Sequence, residues 1–261
     1  MQGNMNAVRF TVYAIIELVL FILLWHFLSK MSTFPTYLSS PSAVLGNIWE
    51  MFSTKEIFPH IEISLYRTLV SFLLVVIIGT GLGILAGYFK PIGRFFDPLI
   101  SFFNPVPKIA LLPVFLVWFG VTDTTRILII FTSAFFPCFI ATIDGVRSID
   151  KLHFWSAKNM GASQLQVLRR VILPAALPKI FDGWRVALAL CFVMMFSSEM
   201  IGTSSGLGLG FLILNADAYG RTDIVLAAIF VIAALGFIFD RLLIGIRSRA
   251  LWWNRQEEGK Q

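Results

Sequence analysis

The feature that most constrains this chain is a series of six apolar runs, each about as long as a bilayer is thick. A transmembrane helix needs about 20 mostly apolar residues. The runs fall at roughly 11–29, 66–89, 98–119, 125–146, 180–201 and 223–246. The gaps between them leave no room for a separate soluble domain. We therefore expect one polytopic transmembrane domain over residues 1–261.

The composition also indicates a membrane protein. Of the 261 residues, 57% are hydrophobic and only 14% are charged, whereas a soluble domain has roughly 25% charged residues. The runs are of helix length, so the predicted fold class is all-α. The start, "MQGNMNAVRF", lacks the basic segment, short apolar core and cleavage site of a signal peptide. We therefore expect the first run to be retained as a span.

The distribution of Lys and Arg predicts the orientation of the chain. If the N-terminus is cytoplasmic, the cytoplasmic segments hold most of the basic residues outside the runs, and Arg67 falls at the edge of a run. The C-terminus and the segment 147–179 are then cytoplasmic, whereas the glycine-rich loop 202–222 is extracellular. This bias accounts for the net charge of +6, and we expect no nucleic-acid partner.

The third run has an interrupted backbone. It reads "FDPLISFFNPVPKIALLPVFLVWFG" and contains Pro98, Pro105, Pro107 and Pro113. Proline removes a backbone donor and can kink a helix. Broken backbone at membrane depth is tolerated where it is buried in protein or lines a cavity. Pro105 and Pro107 are therefore candidates for a transport path, although prolines in membrane helices also have purely structural roles.

One polar, basic segment separates two apolar runs: "SAKNMGASQLQVLRRVILPAALPKI", residues 156–180. Asp150 is placed to cap a short helix, "KLHFWSAKNM", and Gly161 suits the left-handed position that ends it. Ser163 and Gln166 match a capping box for a second helix. We expect Pro174 to stop that second helix.

The second helix of this segment has an apolar ridge. Leu165, Leu168 and Ile172 share one face at spacings of three and four residues, while Arg169 and Arg170 supply charge elsewhere. A helix pair of this kind suits docking into a partner or lying on anionic lipid. These residues by themselves leave both alternatives open.

A longer pattern favours docking. Gly161 is followed at fixed spacing by Val171, Leu173 and Pro174. This arrangement resembles the EAA loop of the membrane subunits of ABC importers. In that family the loop forms a coupling helix that sits in a cleft of a separate ATPase subunit.

The name-giving Glu-Ala-Ala of that loop falls at Trp155, Ser156 and Ala157, so only the last Ala is kept. We expect Trp155 to replace the acidic contact with an apolar anchor, because aromatic side chains serve well in docking pockets. The resemblance assigns ATPase coupling to one set of residues: Trp155, Ser156, Ala157, Gly161, Ala162, Leu165, Leu168, Arg169, Val171, Leu173 and Pro174.

The resemblance covers most of the chain, from about residue 38 to 254. "SLYRTLVSFLLVVIIGTGLGILAGY", "NPVPKIALLPVFLVWFG" and "SSEMIGTSSGLG" resemble the branch that imports taurine, aliphatic sulfonates, nitrate or bicarbonate. It implies a type I importer permease (MetI-like) fold with about six transmembrane helices, in a bacterial inner membrane. It also implies a homodimer around a central path for a small anion, embedded in membrane lipid.

The same resemblance implies two kinds of partner. Two ATP-binding-cassette ATPase subunits lie on the cytoplasmic side, and an extracytoplasmic solute-binding protein delivers the solute. This chain has no GxxxxGK[ST] phosphate loop. ATP and Mg are therefore expected on the ATPase, and no cofactor is expected on the permease.

Ionisable groups inside spans are costly and are functional candidates by default. Lys108 lies in the broken run, where a cation could attract an anionic solute, could snorkel toward an interface or could pair within the fold. Glu199 is expected to pair with Lys108 or Arg185 and to have a structural or gating role. Ser197 and Ser198 could donate to an oxyanion or could simply cap a helix.

The sequence offers no enzyme signature. It lacks HExxH, GxSxG and any cluster of His, Asp and Glu, so we predict no catalytic residue and no metal site. "GLGLG" at residues 206–210 lacks the strand–turn–helix context of a nucleotide site, and we expect an extracellular gate or docking loop there. The alternative function is an ion-gradient-driven secondary transporter. It would explain the charged residues in the spans but not the Gly161–Pro174 pattern.

Overall fold

The computed structural model describes residues 2–30, 38–201 and 206–252. These residues form twelve α-helices and no strand, which confirms the predicted all-α class. The helices are α1 (Gln2–Lys30), α2 (Pro41–Ser53), α3 (Ile57–Leu74), α4 (Thr80–Tyr88), α5 (Lys90–Phe103), α6 (Leu112–Phe119), α7 (Asp123–Arg147), α8 (Lys151–Asn159), α9 (Gln164–Val167), α10 (Leu173–Glu199), α11 (Leu209–Ala218) and α12 (Thr222–Ala250).

Two π turns lie within longer helices. Val75–Gly79 joins α3 to α4, and Leu168–Ile172 joins α9 to α10. A π turn inserts one wider turn without ending a helix. The chain is therefore helical without a break over Ile57–Tyr88 and over Gln164–Glu199.

Four helices of the described chain are long and apolar enough to cross a bilayer: Ile57–Tyr88, Asp123–Arg147, Gln164–Glu199 and Thr222–Ala250. They contain the predicted runs 66–89, 125–146, 180–201 and 223–246, apart from residues at the ends. If one bent pair of helices is counted as a further span, the total is five. Helix α1 covers the first predicted run, and it includes the shorter apolar stretch Val19–Lys30. The described residues thus give four or five spans by length and composition, where the sequence predicted six.

The bent pair is the third predicted run. Lys90–Phe103 and Lys108–Phe119 meet at an angle of 87°, and the break contains Pro105 and Pro107. A short 3₁₀ turn, Lys108–Leu111, starts the second arm. The predicted interruption is therefore confirmed, with Pro98 inside α5 and Pro113 in the first turn of α6, where proline is tolerated.

Two helices were missing from the prediction. Helix α2 starts at Pro41 after Ser40, whose hydroxyl accepts a hydrogen bond from the Ala43 N–H at 3.3 Å. Helix α11 lies inside the segment 202–222, so the described part of that glycine-rich loop is largely helical. Its sequence, "LGFLILNADA", is short and follows two glycines, which concealed it.

Helices α7 and α10 pack closely at the centre of the fold. A Cβ atom added to Gly183 of α10 would lie 2.7 Å from the Ala141 Cβ of α7. A Cβ added to Gly145 of α7 would lie 3.1 Å from the Lys179 Cβ of α10. Small residues at such contacts let the backbones of membrane helices approach.

A row of glycines at a spacing of four residues brings α4 against α7. A Cβ added to Gly79 would lie 3.3 Å from the Cys138 Sγ. One added to Gly83 would lie 2.6 Å from the Thr142 Cβ, and one added to Gly87 would lie 2.7 Å from the Val146 Cβ. The central position has the least room, because the Phe139 carbonyl oxygen is also 3.1 Å away.

We predict that Gly83→Val destabilises the protein by about 1–3 kcal/mol, since an overpacked contact forces neighbouring atoms to shift. Thermal unfolding in mild detergent would show this as a lower midpoint temperature. Gly81→Val is the matched control, because nothing lies within 4 Å of a Cβ at Gly81 on the same helix. We expect the control to change the stability by less than about 0.5 kcal/mol. Equal loss in both variants would contradict the packing argument.

Candidate functional site

The basic segment begins with the predicted capped helix. Asp150 Oδ1 accepts a hydrogen bond from the Leu152 N–H at 2.9 Å and starts α8. At the other end, Gly161 has φ +82°. The Gly161 N–H donates to the Lys158 carbonyl at 2.9 Å and the Ala162 N–H to the Ala157 carbonyl at 3.1 Å. These two bonds form a Schellman motif, which confirms that Gly161 ends the helix in a left-handed conformation.

The second helix also starts as predicted. The Gln166 N–H donates to the Ser163 hydroxyl at 3.3 Å, and the Ser163 N–H donates to Gln166 Oε1 at 2.8 Å. This is a complete capping box, and it pairs two donors at the start of α9.

The prediction that Pro174 ends this helix is wrong. The helix continues from α9 through the π turn into α10, with Pro174 in the first turn of α10. Leu173 donates its N–H to the Leu168 carbonyl, five residues back. The wider turn just before Pro174 makes room for the proline ring, which would otherwise clash with the carbonyl four residues earlier.

The predicted apolar ridge is only partly a surface feature. Leu165 is exposed, but Leu168 is half-buried and Ile172 is buried. Ile172 packs with Ala157 and Val167 in a cluster that reaches the ends of the spans. The physical reason is that Leu168 and Ile172 pack on the ends of the transmembrane helices, whereas Leu165 stays exposed.

Leu165 and three apolar side chains outside the ridge face outward, and we name this set the docking surface: Leu152, Trp155, Met160 and Leu165. Their exposed fractions are 69%, 59%, 80% and 57%. Ser156, Arg169 and Arg170 are exposed as well. The other residues assigned to coupling are at least half-buried except Gly161: Ala157, Ala162, Leu168, Val171, Leu173 and Pro174.

Lys108 lies at the break between α5 and the next turn. Its Nζ donates to the carbonyls of Phe103 at 2.7 Å, Asn104 at 3.0 Å and Val106 at 2.7 Å, and it lies 5.0 Å from the ring centre of Phe136. A broken helix leaves carbonyls at its C-terminus unpaired, and a cation there is favourable. These contacts agree with pairing within the fold, and attraction of an anionic solute by Lys108 stays a prediction.

The predicted partners of Glu199 are wrong. Arg185 pairs with Asp240 of α12 through two hydrogen bonds, of 2.5 and 3.0 Å. Glu199 instead accepts a hydrogen bond of 2.7 Å from Arg67 Nη1, and both side chains are about 1% exposed or less. Arg67 is buried in the protein, and both of its ion-pair partners lie at span ends: Asp123 is the first residue of α7 and Glu199 is the last residue of α10.

Glu199 and Arg67 belong to what we name the ion cluster, which also contains Ser64 and Asp123. The Ser64 hydroxyl lies 2.9 and 2.8 Å from the two carboxylate oxygens of Glu199. Arg67 Nη2 lies 2.6 Å from Asp123 Oδ1 at the start of α7. The cluster thus joins α3, α7 and α10.

The two predicted path serines make only local bonds. Ser197 Oγ donates to the Val193 carbonyl at 2.9 Å, and Ser198 Oγ donates to the Met195 carbonyl at 3.0 Å. Both bonds lie within α10, so neither residue caps the helix.

Sequence reasoning missed the ion cluster, although a signal was present. Ser64, Arg67, Thr68 and Ser71 recur at spacings of three and four residues in an apolar helix, and all are buried. Such spacing places polar groups on one helix face. A polar stripe on a membrane helix points to an interior polar contact, which here is with Glu199.

Comparison with known proteins agrees with this architecture. A family model described as "Binding-protein-dependent transport system inner membrane component" matches residues 79–249. The taurine transport system permease protein TauC of Escherichia coli is 33% identical over 84% of this chain and 81% of its own length. The bicarbonate transport system permease protein CmpB of Synechococcus elongatus is 35% identical over 72% of this chain and 68% of its own length.

A solved structure shares the fold. A chain of the MetNI methionine ABC transporter in an inward-facing conformation aligns with a TM-score of 0.65, at 19% identity, over 74% of this chain and 95% of that chain. This chain belongs to the family of binding-protein-dependent transport system inner membrane components and is a transmembrane permease subunit of an ABC importer.

Proposed function

We propose that this permease imports a small solute with an acidic oxyanion group, powered by a separate ATPase that binds the docking surface. A solute-binding protein delivers the solute at the opposite face of the membrane. The observation that carries the proposal is the docking surface itself. It places four exposed apolar side chains on two capped helices at the start of one continuous membrane helix.

The chemistry of the docking surface suits a protein pocket. Trp155 is more than half exposed, and tryptophan is enriched among the residues that dominate binding energy at interfaces. The Schellman motif and the capping box hold the two helices in one relative arrangement, so less ordering is needed on binding. Exposed apolar side chains on two short helices of fixed relative arrangement suit a cleft in a partner protein.

The same end of the fold carries basic groups, which supports a cytoplasmic location. Arg147 ends α7 beside this segment, and Arg169 and Arg170 lie within it. Arg247 near the end of α12 pairs with Asp182 of α10 at 2.8 Å. By the positive-inside rule this end faces the cytoplasm of a bacterial inner membrane, as do both chain termini.

ATP and Mg bind the ATPase, because the permease sequence has no phosphate loop. Two ATPase subunits and two permease copies form the working unit, with the path between the permeases and lipid around them. ATP binding draws the ATPases together, and the docking surface passes that movement to the spans as a shift between two arrangements.

The class of solute is inferred from the relatives. Their names specify taurine and bicarbonate, and both compounds carry an acidic oxyanion group. Lys108 Nζ donates hydrogen bonds to three carbonyls, so its charge already interacts with the broken backbone. Choice among such solutes therefore rests with the binding protein and with the path as a whole.

We predict ATP-dependent uptake of at least one oxyanion by proteoliposomes that contain the permease, its ATPase and its binding protein. The assay compares radiolabelled taurine, ethanesulfonate and bicarbonate, with choline as the control that lacks an oxyanion. Uptake that needs an ion gradient and not ATP would support the secondary-transporter alternative instead. Uptake of choline alone would contradict the solute class.

We predict that Trp155→Ala weakens ATPase binding by about 2 kcal/mol, or about 30-fold, as expected for an aromatic hot spot. Affinity of the detergent-solubilised permease for the purified ATPase measures this. Trp49→Ala is the matched control, because Trp49 on α2 is 78% exposed and lies outside the docking surface. Equal affinity of the Trp155 variant and the wild type would contradict the assignment.

Gly161→Val is expected to reduce uptake by about tenfold or more without loss of membrane insertion. A β-branched residue at positive φ costs about 1–3 kcal/mol, and nothing lies within 4 Å of a Cβ there, so the effect is on the helix connection alone. Gly220→Val is the control, with φ +67° and the same open space. Normal uptake by the Gly161 variant, or an equal loss in both, would count against coupling through this turn.

A further inference from the structure

The docking surface and the ion cluster lie at opposite ends of one helix. The helical run Gln164–Glu199 contains 36 residues, and at 1.5 Å per residue it is about 54 Å long. Leu165 of the docking surface is its second residue, and Glu199 of the ion cluster is its last. A displacement of the first end is therefore carried to the second by a single continuous helix.

At the second end, Glu199 contacts a short glycine-rich segment, which we name the clamped turn: residues 207–210, of which the last two begin α11. The Gly210 N–H donates to Glu199 Oε2 at 3.0 Å. Ser64 links the same carboxylate to the Leu209 N–H at 2.9 Å. Arg67 Nη1 donates to the Leu207 carbonyl at 3.4 Å as well as to Glu199. The backbone of the clamped turn is thus bonded to the ion cluster.

The clamped turn packs closely against the end of α10. An added Cβ at Gly208 would lie 2.7 Å from the Glu199 carboxylate carbon, and one at Gly210 would lie 2.6 Å from the Phe196 carbonyl oxygen. Gly208 also has φ +130°, which favours glycine. The turn and the end of α10 must therefore move together or separate completely.

We infer that Arg67 and Glu199 are positioning residues for transport: they fasten the clamped turn to α10, so that movement started at the docking surface repositions this turn at the far end of the permease. The inference rests on the proposed function, because it needs the ATPase to act on α8 and α9. It assigns Glu199 no contact with solute. Its carboxylate is fully occupied by Arg67, Ser64 and Gly210.

The rival explanation is that the ion cluster only stabilises the fold. A buried ion pair is weak grounds for net stability, whereas removal of one partner is costly. Both explanations therefore expect Glu199→Gln to lower the unfolding temperature. They differ in whether a folded variant still transmits the state of the ATPase to the clamped turn, so the test must measure that transmission.

The experiment uses the assembled permease–ATPase complex in lipid nanodiscs, with Leu207→Cys as a reporter in the clamped turn. The side chain of Leu207 is partly exposed, and the Leu207 group that accepts the hydrogen bond from Arg67 is its backbone carbonyl, which a cysteine retains. The probe is a water-soluble maleimide, applied with and without ADP and vanadate to trap the ATPase. The complex without Leu207→Cys gives the background labelling. The two native cysteines of the permease, Cys138 and Cys191, are buried, so we expect them to add little to it.

In the wild-type background we expect trapping to change the labelling rate by about tenfold. With Glu199→Gln we expect the change to fall below about twofold while ATP hydrolysis continues, because the turn no longer follows α10. Ser64→Ala, which removes one hydroxyl and keeps the ion pair, is expected to give an intermediate change. Asp240→Asn is the control: it breaks the exposed ion pair of α10 with Arg185 and should leave the full change.

An undiminished trap-dependent change in Glu199→Gln or Ser64→Ala would overturn the inference, whatever their unfolding temperatures. If neither variant assembled, the cluster would be a folding element and the inference would equally fail. Failure of the proposed function is distinct. It would show earlier, as a wild-type permease that binds no ATPase.

Discussion

A hydrocarbon solvent offers no hydrogen-bond partners, and this constraint decides where each polar group of the fold must lie. The broken third span interrupts the backbone hydrogen bonds of a helix, and Lys108 donates to three carbonyls at the break. The Glu199 carboxylate, with no exposed surface, is surrounded by an arginine, a hydroxyl and a backbone N–H. At both places a charged side chain forms hydrogen bonds with irregular backbone: Lys108 with carbonyls at the break and Glu199 with the Gly210 N–H.

Features that depend on near neighbours in sequence were predictable. The Asp150 cap, the Ser163–Gln166 capping box and the Gly161 turn each involve residues within five positions of one another, so their patterns are visible in the sequence. The partner of Glu199 was not, because Arg67 is 132 residues away. Hydropathy indicates that a charge in a span needs a partner, but only the packing of α3 against α10 identifies which one.

Two errors in the coupling segment have a common origin. Pro174 and the Leu165–Leu168–Ile172 ridge were interpreted as they would be in an isolated helix surrounded by water. In the fold, a π turn before Pro174 lets the helix continue, and the ends of the spans provide a second apolar surface that buries Ile172. The residues left for an outside partner are those that this internal packing does not use, and Trp155 and Met160 are among them.

The ion pairs near the docking surface differ in kind from the one that holds the clamped turn. Toward the docking surface, Arg147–Asp97 and Arg247–Asp182 have side chains that are 33% to 57% exposed, and exposed pairs contribute about 0–1 kcal/mol each. At the other end, Arg67 and Glu199 are buried, and removing either would cost about 3–5 kcal/mol. The two ion pairs near the docking surface can therefore rearrange at little cost, whereas the clamped turn stays attached to α10. The helix Gln164–Glu199 thus has weak ion pairs near the docking surface and a strong attachment to the clamped turn at its other end. With this arrangement, a displacement of the first end moves the clamped turn.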